Sequence, residues 1–178
     1  VALLNALLGS WGRRGGFYFK ESIKIPSFPH PPYPEPKWGW HEIGENFPFA
    51  EMGITNEIIK ASIPGGNDKY PVKAWMVAGT NLLQSIPQTS VIEKAIENLE
   101  FFVVLDTMPM EITGYADVVL PECTYLERYD DLRSATNREP SVALRMPVAP
   151  PKYDSKPAWW VAKQIGEKLG LKEYFNYT

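Results

Sequence analysis

The strongest constraint in this sequence is a strand, helix and strand succession between Val72 and Asp106. Val72-Lys-Ala-Trp-Met-Val-Ala78 closes with five uncharged, mostly apolar residues, the pattern of a strand buried on both faces. Further on, Ser90 and Glu93 have the spacing of a capping box, and Val91, Ile92, Ala95, Ile96 and Leu99 share one helical face. Phe101-Phe-Val-Val-Leu105 then reads as a second buried strand that stops at Asp106. A helix between two such strands requires them to lie parallel in one sheet, joined by a right-handed crossover.

The neighbouring segments extend this unit. Ala116-Asp-Val-Val-Leu120, closed by Pro121, is a third strand with Glu122 and Cys123 at its end, and Val142-Ala-Leu144 is expected as a short fourth. Thr55 is expected to cap a helix to about Ser62, stopped by Ile63-Pro-Gly-Gly66. Ser155 is expected to cap a last helix to about Leu169, with Trp159, Trp160, Ile165 and Leu169 among its apolar residues and Gly170 as its stop. The fold class expected is α/β: three layers, a mainly parallel sheet flanked by helices, Rossmann-like, with a long proline-rich coil on its N-terminal side.

That coil is where composition enters. Seventeen of 178 residues are proline, and six of them fall between Pro26 and Pro36. Proline blocks both helix and sheet pairing. Phe28, Tyr33, Trp38, Trp40 and Phe47 lie in the same stretch, from about Lys20 to Pro48. The rings imply an ordered coil pinned to a protein surface, with a docking peptide for another protein as the sharper alternative. Ahead of it, Val1 to Leu8 reads as the apolar side of a helix entered midway, so the chain is expected to be a piece of a larger one. The organisation expected is residues 1–19 as helix and Gly/Arg turn, 20–53 as proline and aromatic coil, and 54–178 as the α/β domain.

Charge narrows the partners. A formal net charge of −3 supplies no basic field for nucleic acid, and no apolar run reaches the roughly 20 residues a spanning helix needs. Neither nucleic-acid binding nor direct membrane insertion is expected. Cys123 is the only cysteine, so this segment cannot assemble a disulfide or an iron–sulfur cluster by itself. Its sharp reading is a nucleophile or metal ligand; its bland one, preferred because no activating group is evident nearby, is a small buried hydrophobe. His30 and His41 match no common ligand spacing and are assigned surface or packing roles.

In parallel α/β sheets, ligands bind beyond the carboxyl ends of the strands. Gly79-Thr-Asn81 and Asp106 stand at those ends. The sequence after Gly79 is no Gly-x-Gly-x-x-Gly fingerprint, which disfavours an ordinary NAD site. A carboxylate accepts two parallel N–H bonds, and guanine offers N1–H and N2–H side by side, so Asp106 or Asp117 suits a guanine edge; turn formation is the alternative for either. Arg13 and Arg14, among the glycines from Gly9 to Gly16, read as a helix-terminating turn or a phosphate contact. In Glu122–Asp131, acid/base carboxylates compete with a solvated charged loop, and the loop is preferred.

Taken in order and spacing, Leu7-Leu-Gly-Ser-Trp-Gly-Arg-Arg-Gly-Gly16, Gly79-Thr-Asn-Leu-Leu-Gln-Ser-Ile-Pro87 and Asp106-Thr-Met-Pro-Met-Glu-Ile-Thr-Gly-Tyr-Ala-Asp-Val-Val-Leu-Pro121 resemble the dimethyl sulfoxide reductase family of molybdopterin oxidoreductases. Glu122-Cys-Thr-Tyr-Leu-Glu-Arg-Tyr-Asp-Asp131 looks most like the polysulfide and thiosulfate reductase catalytic subunits. The resemblance implies a molybdenum bis(molybdopterin guanine dinucleotide) cofactor and an iron–sulfur cluster in an upstream part. The implied partners are the remainder of the catalytic subunit, an iron–sulfur electron-transfer subunit, and a membrane anchor subunit as one option. The implied location is the outer face of a bacterial or archaeal cytoplasmic membrane.

Carried over residue by residue, the guanine-dinucleotide roles fall on Gly79, Asn81 and Asp106, with Thr113 and Asp117 as further candidates. No catalytic residue and no metal ligand is implied in this segment. Two departures stand out: Leu82 follows the asparagine where the family often has proline, and Thr136-Asn-Arg-Glu-Pro-Ser141 keeps only part of a later family pattern. A noncatalytic α/β assembly module of a multisubunit redox complex is the competing reading.

Overall fold

The computed structural model describes residues 2–18, 20–32, 55–67 and 71–176. Tyr33, Trp38, Trp40, His41 and Phe47 of the aromatic coil lie outside the described residues. The chain forms two compact units, one from the N-terminus to Pro29 with Tyr125–Pro150, the other from His30 to Thr124 with Pro151–Thr178. Residues 125–150 group with the N-terminal segment in the first of these units.

The second unit holds the parallel sheet. Its strands are β1 (Ala74–Ala78), β2 (Phe101–Asp106) and β3 (Val118–Pro121), in the spatial order β1-β2-β3. Ala78 is level with Leu105, and Leu105 with Leu120, so all three strands end at the same edge. The helix of the crossover runs Thr89–Glu97 and buries Ile92, Ala95 and Ile96 against Val77, Phe102 and Val104. Ile59, from the helix Thr55–Lys60, completes this side of the core. The long C-terminal helix, Ala158–Lys168, lies over the other face, where Met76, Ala78 and Leu105 meet Ala162 and Ile165 around an apolar cavity of about 410 Å³. Sheet and two helical layers reproduce the expected architecture.

Several local expectations are overturned. Among the described residues only β2 is buried on both faces; β1 stands at the edge of the sheet they form, with Met76 47% exposed and an apolar groove of about 720 Å³ beside it. The capping box is not built: the crossover helix starts at Thr89, its cap position is Gln88 in the left-handed region, and no side chain caps it. Thr89 instead donates its hydroxyl to Leu83 O at 3.0 Å, tying the helix to the preceding turn. Likewise Ser155 donates to Lys152 O at 2.7 Å, and Pro157 occupies the cap position of the C-terminal helix. Its expected apolar residues Trp159, Trp160 and Leu169 are exposed, while Val161 and Gly166 are buried. Gly170 does end that helix, at φ +78°, with Leu171 N–H returning to Gly166 O at 2.8 Å.

The first unit is irregular. Its helix, Ala2–Leu7, leaves Leu3, Leu4, Leu7 and Leu8 exposed. The following turn is closed by Phe17 N–H to Ser10 O at 3.0 Å, with the Trp11 and Phe17 rings 5.5 Å apart. Residues 20–32 form no helix or strand, as their prolines require. The short strand expected at Val142–Leu144 is found at Ser141–Ala143, paired antiparallel with Arg133–Ala135 in a two-stranded sheet separate from the parallel one.

Candidate functional site

The carboxyl edge of the sheet gathers most of the residues singled out by the sequence. Gly79 follows β1 with φ +63°, a left-handed turn in which a side chain would be strained, and a Cβ there would meet nothing within 4 Å. Its N–H donates to Leu105 O at 3.0 Å, which sets the turn after β1 beside the end of β2. Asn81 then begins a one-turn helix, Leu82–Ser85. Asparagine at a helix start ordinarily caps it by accepting a backbone N–H. Here it does not: the Asn81 amide Nδ2 donates to Glu111 Oε2 at 2.6 Å.

Glu111 lies in a 3₁₀ turn, Glu111–Tyr115, between β2 and β3. Its second oxygen accepts from Gln84 Nε2 at 2.8 Å, so one carboxylate ties the turn after β1 to the turn after β2. At the end of β2, Asp106 Oδ1 accepts from Thr107 N–H at 2.7 Å. The other oxygen, Oδ2, is buried and accepts no hydrogen bond among the described residues, and the same is true of Asn81 Oδ1. Two buried acceptors on neighbouring strand ends carry an energetic cost that an arriving N–H or O–H donor relieves.

The remaining candidates are placed differently. Thr113 is in the same 3₁₀ turn, but its hydroxyl donates to Met110 O at 2.5 Å and holds the turn together. Asp117 is at the opposite, amino edge, where Oδ2 accepts Phe102 N–H at 2.7 Å and its own N–H returns to Phe102 O at 2.8 Å. Gly79, Asn81 and Asp106 thus lie at the same carboxyl edge of the sheet, and Asp117 is engaged in the bonding of its amino edge. Glu111 and Gln84 were not singled out, although Glu111 stands inside the block Asp106–Pro121 that carried the resemblance. The 3₁₀ turn that carries Glu111 back to the turn after β1 has no local sequence signal of its own.

Elsewhere, chemistry-bearing residues have structural surroundings. Cys123 is fully buried with Sγ 3.8 Å from Ser155 Oγ, matching its reading as a small core residue. His30 Nδ1 is 2.7 Å from Pro31 O. In the charged loop, Asp130 is paired with Arg128 at 3.0 Å and with Arg145. Among the described residues, no group of three or more His, Cys, Asp or Glu is placed to hold a metal ion, and no helix is long and apolar enough to cross a membrane.

A parallel sheet with a glycine turn and unsatisfied acceptors at its carboxyl edge has these groups where α/β domains bind ligands. The molybdopterin oxidoreductase family model matches residues 3–168. The chain belongs to this family. It is 31% identical to the thiosulfate reductase molybdopterin-containing subunit PhsA of Salmonella typhimurium, an alignment covering 99% of this chain and 25% of that protein. It is 28% identical to a sulfite dehydrogenase subunit of Allochromatium vinosum, over 99% of this chain and 23% of that protein. Among solved structures, acetylene hydratase from Pelobacter acetylenicus shares the fold with a TM-score of 0.56 at 24% identity, covering 73% of this chain and 18% of that one. The chain therefore spans about a quarter of the length of these curated relatives.

Proposed function

We propose that this chain is part of the catalytic subunit of a molybdenum oxidoreductase acting on an inorganic sulfur compound such as thiosulfate or polysulfide, and that it holds one guanine dinucleotide arm of the cofactor. The observation that carries the guanine assignment is the pair of unsatisfied acceptors, Asn81 Oδ1 and Asp106 Oδ2, at adjacent strand ends. The guanine N1–H and N2–H groups are donors of the kind these oxygens lack. Gly79 contributes open space beside them, since its turn carries no Cβ. Thr113 supports the site indirectly by bracing the turn that carries Glu111.

The fit is therefore one of donor chemistry to acceptor chemistry. When bound, the cofactor supplies two-electron transfer through molybdenum; these residues bind and orient its nucleotide end. The sulfur substrate is supported by the relatives that cover almost the whole chain, which are subunits of a thiosulfate reductase and of a sulfite dehydrogenase. The same reading extends to a bis(molybdopterin guanine dinucleotide) cofactor, an upstream iron–sulfur cluster, a membrane anchor on the outer face of the cytoplasmic membrane, and an electron-transfer subunit.

Elemental and nucleotide analysis of the purified full-length parent tests this. The expected result is molybdenum and guanine in stoichiometric amounts; their absence overturns the reading. The 178-residue segment on its own is expected to show no turnover, because its one cysteine cannot build a redox centre.

A further inference from the structure

We propose that Glu111 sets the base selectivity of this site by fixing which way the Asn81 side-chain amide points. This rests on the reading of the strand-end site as a guanine site. A carboxylate is an acceptor only, so both side-chain amides that meet Glu111 must turn their NH₂ groups to it. That is the observed arrangement, with Asn81 Nδ2 at 2.6 Å from one oxygen and Gln84 Nε2 at 2.8 Å from the other. Flipping the Asn81 amide would set its carbonyl oxygen against the carboxylate, a repulsive contact. Asn81 is thereby held with Oδ1 directed away from Glu111, and that oxygen is buried without a donor among the described residues.

The consequence is chemical. At the same carboxyl edge as Asp106, an Asn81 locked in this sense adds a second acceptor and no donor. Such an edge suits a base that presents adjacent donors, as guanine does with N1–H and N2–H. Adenine presents one donor, its N6 amine, beside the N1 acceptor, and so mismatches one of the two oxygens. If the amide were free to flip, Asn81 would serve adenine equally well. Glu111 is thus a positioning residue: it acts on the base through Asn81, and Gln84 shares the same carboxylate.

The test uses the full-length parent chain produced without cofactor, with GDP and ADP as probes in calorimetric titrations. Glu111→Gln keeps the shape of the side chain but offers an NH₂ where an acceptor stood. The wild type is expected to favour GDP over ADP by about tenfold or more. Glu111→Gln is expected to bring the two affinities within about threefold of each other, with the melting temperature unchanged. In an Asn81→Ala background, adding Glu111→Gln is expected to change neither affinity further, because the residue it acts through is gone. A wild-type GDP preference retained in Glu111→Gln overturns the role of Glu111 while leaving the guanine site standing. A wild-type protein with no preference for GDP overturns both. An undiminished effect of Glu111→Gln in the Asn81→Ala background also overturns the role, since it would show action by another route.

Discussion

Asp117 and Asp106 occupy opposite edges of the same parallel sheet, and they differ in what their carboxylates do. At the amino edge, Asp117 accepts Phe102 N–H and so substitutes for a missing strand partner before β3 begins. At the carboxyl edge, Asp106 uses one oxygen on Thr107 N–H and leaves the other buried without a donor. Residue type and strand-end position are the same; hydrogen-bond completion separates them. A carboxylate whose bonds close within the fold contributes to stability. One whose bonds remain open holds binding capacity, and the fold bears a local cost for it.

The largest expected effect removes the ground on which both edges stand. Ile92 is 1% exposed in the layer between the crossover helix and the sheet, so Ile92→Ala is expected to cost about 2–5 kcal/mol and to lower stability and cofactor retention together. Thermal unfolding of the full-length parent, paired with guanine analysis, checks this. If one readout moves without the other, the two edges do not share that core.

Asp117→Ala is expected next in size, about 1–2 kcal/mol, because Phe102 N–H loses its acceptor. Asp117→Asn keeps a side-chain oxygen there and should recover part of the loss in a denaturant titration. Bound guanine should stay at the wild-type level in both variants. A fall in guanine without a loss of stability would move Asp117 into the binding site and dissolve the contrast.

The smallest effect is expected at Lys73, whose ammonium meets Glu100 at 2.7 Å at the amino edge. The Glu100 carboxylate, by hydrogen bond and charge, raises the Lys73 pKa above its ordinary 10.5, while both side chains stay well exposed. A raised lysine pKa stabilises the fold at pH values below the unfolded pKa, and that contribution fades as pH climbs through the folded one. At neutral pH the pair is fully formed yet screened by solvent, so Lys73→Ala should leave the melting temperature within error. A several-degree drop would show that this exposed pair matters more to the amino edge than Asp117 does.

Much of the sheet was legible because its signal is local. Four consecutive buried residues, Phe102 to Leu105, and the 3.6-residue spacing of Ile92, Ala95 and Ile96 each name their own element. What failed was local chemistry overridden by tertiary bonds. Ser90 and Ser155 stand where helix caps are expected, but the crossover helix begins one residue before Ser90 and the Ser155 hydroxyl is spent on Lys152 O. Val142 and Ala143 do form a strand, but strand propensity says nothing about which partner is chosen, and theirs is a hairpin neighbour. At the site, Gly79, Asn81 and Asp106 were visible as strand-end residues. Glu111 was not, because 30 residues separate it from Asn81 and the 3₁₀ turn after β2 that closes that gap has no pattern of its own.

The central claim is that the open carboxylate at the carboxyl edge holds a guanine, and its most direct test is the guanine content of the full-length parent carrying Asp106→Ala. A fall of about tenfold after gel filtration is expected, the scale of a lost hydrogen bond to a charged group, with the melting temperature of the cofactor-free chain unchanged. Equal guanine content in the variant and the wild type would contradict it.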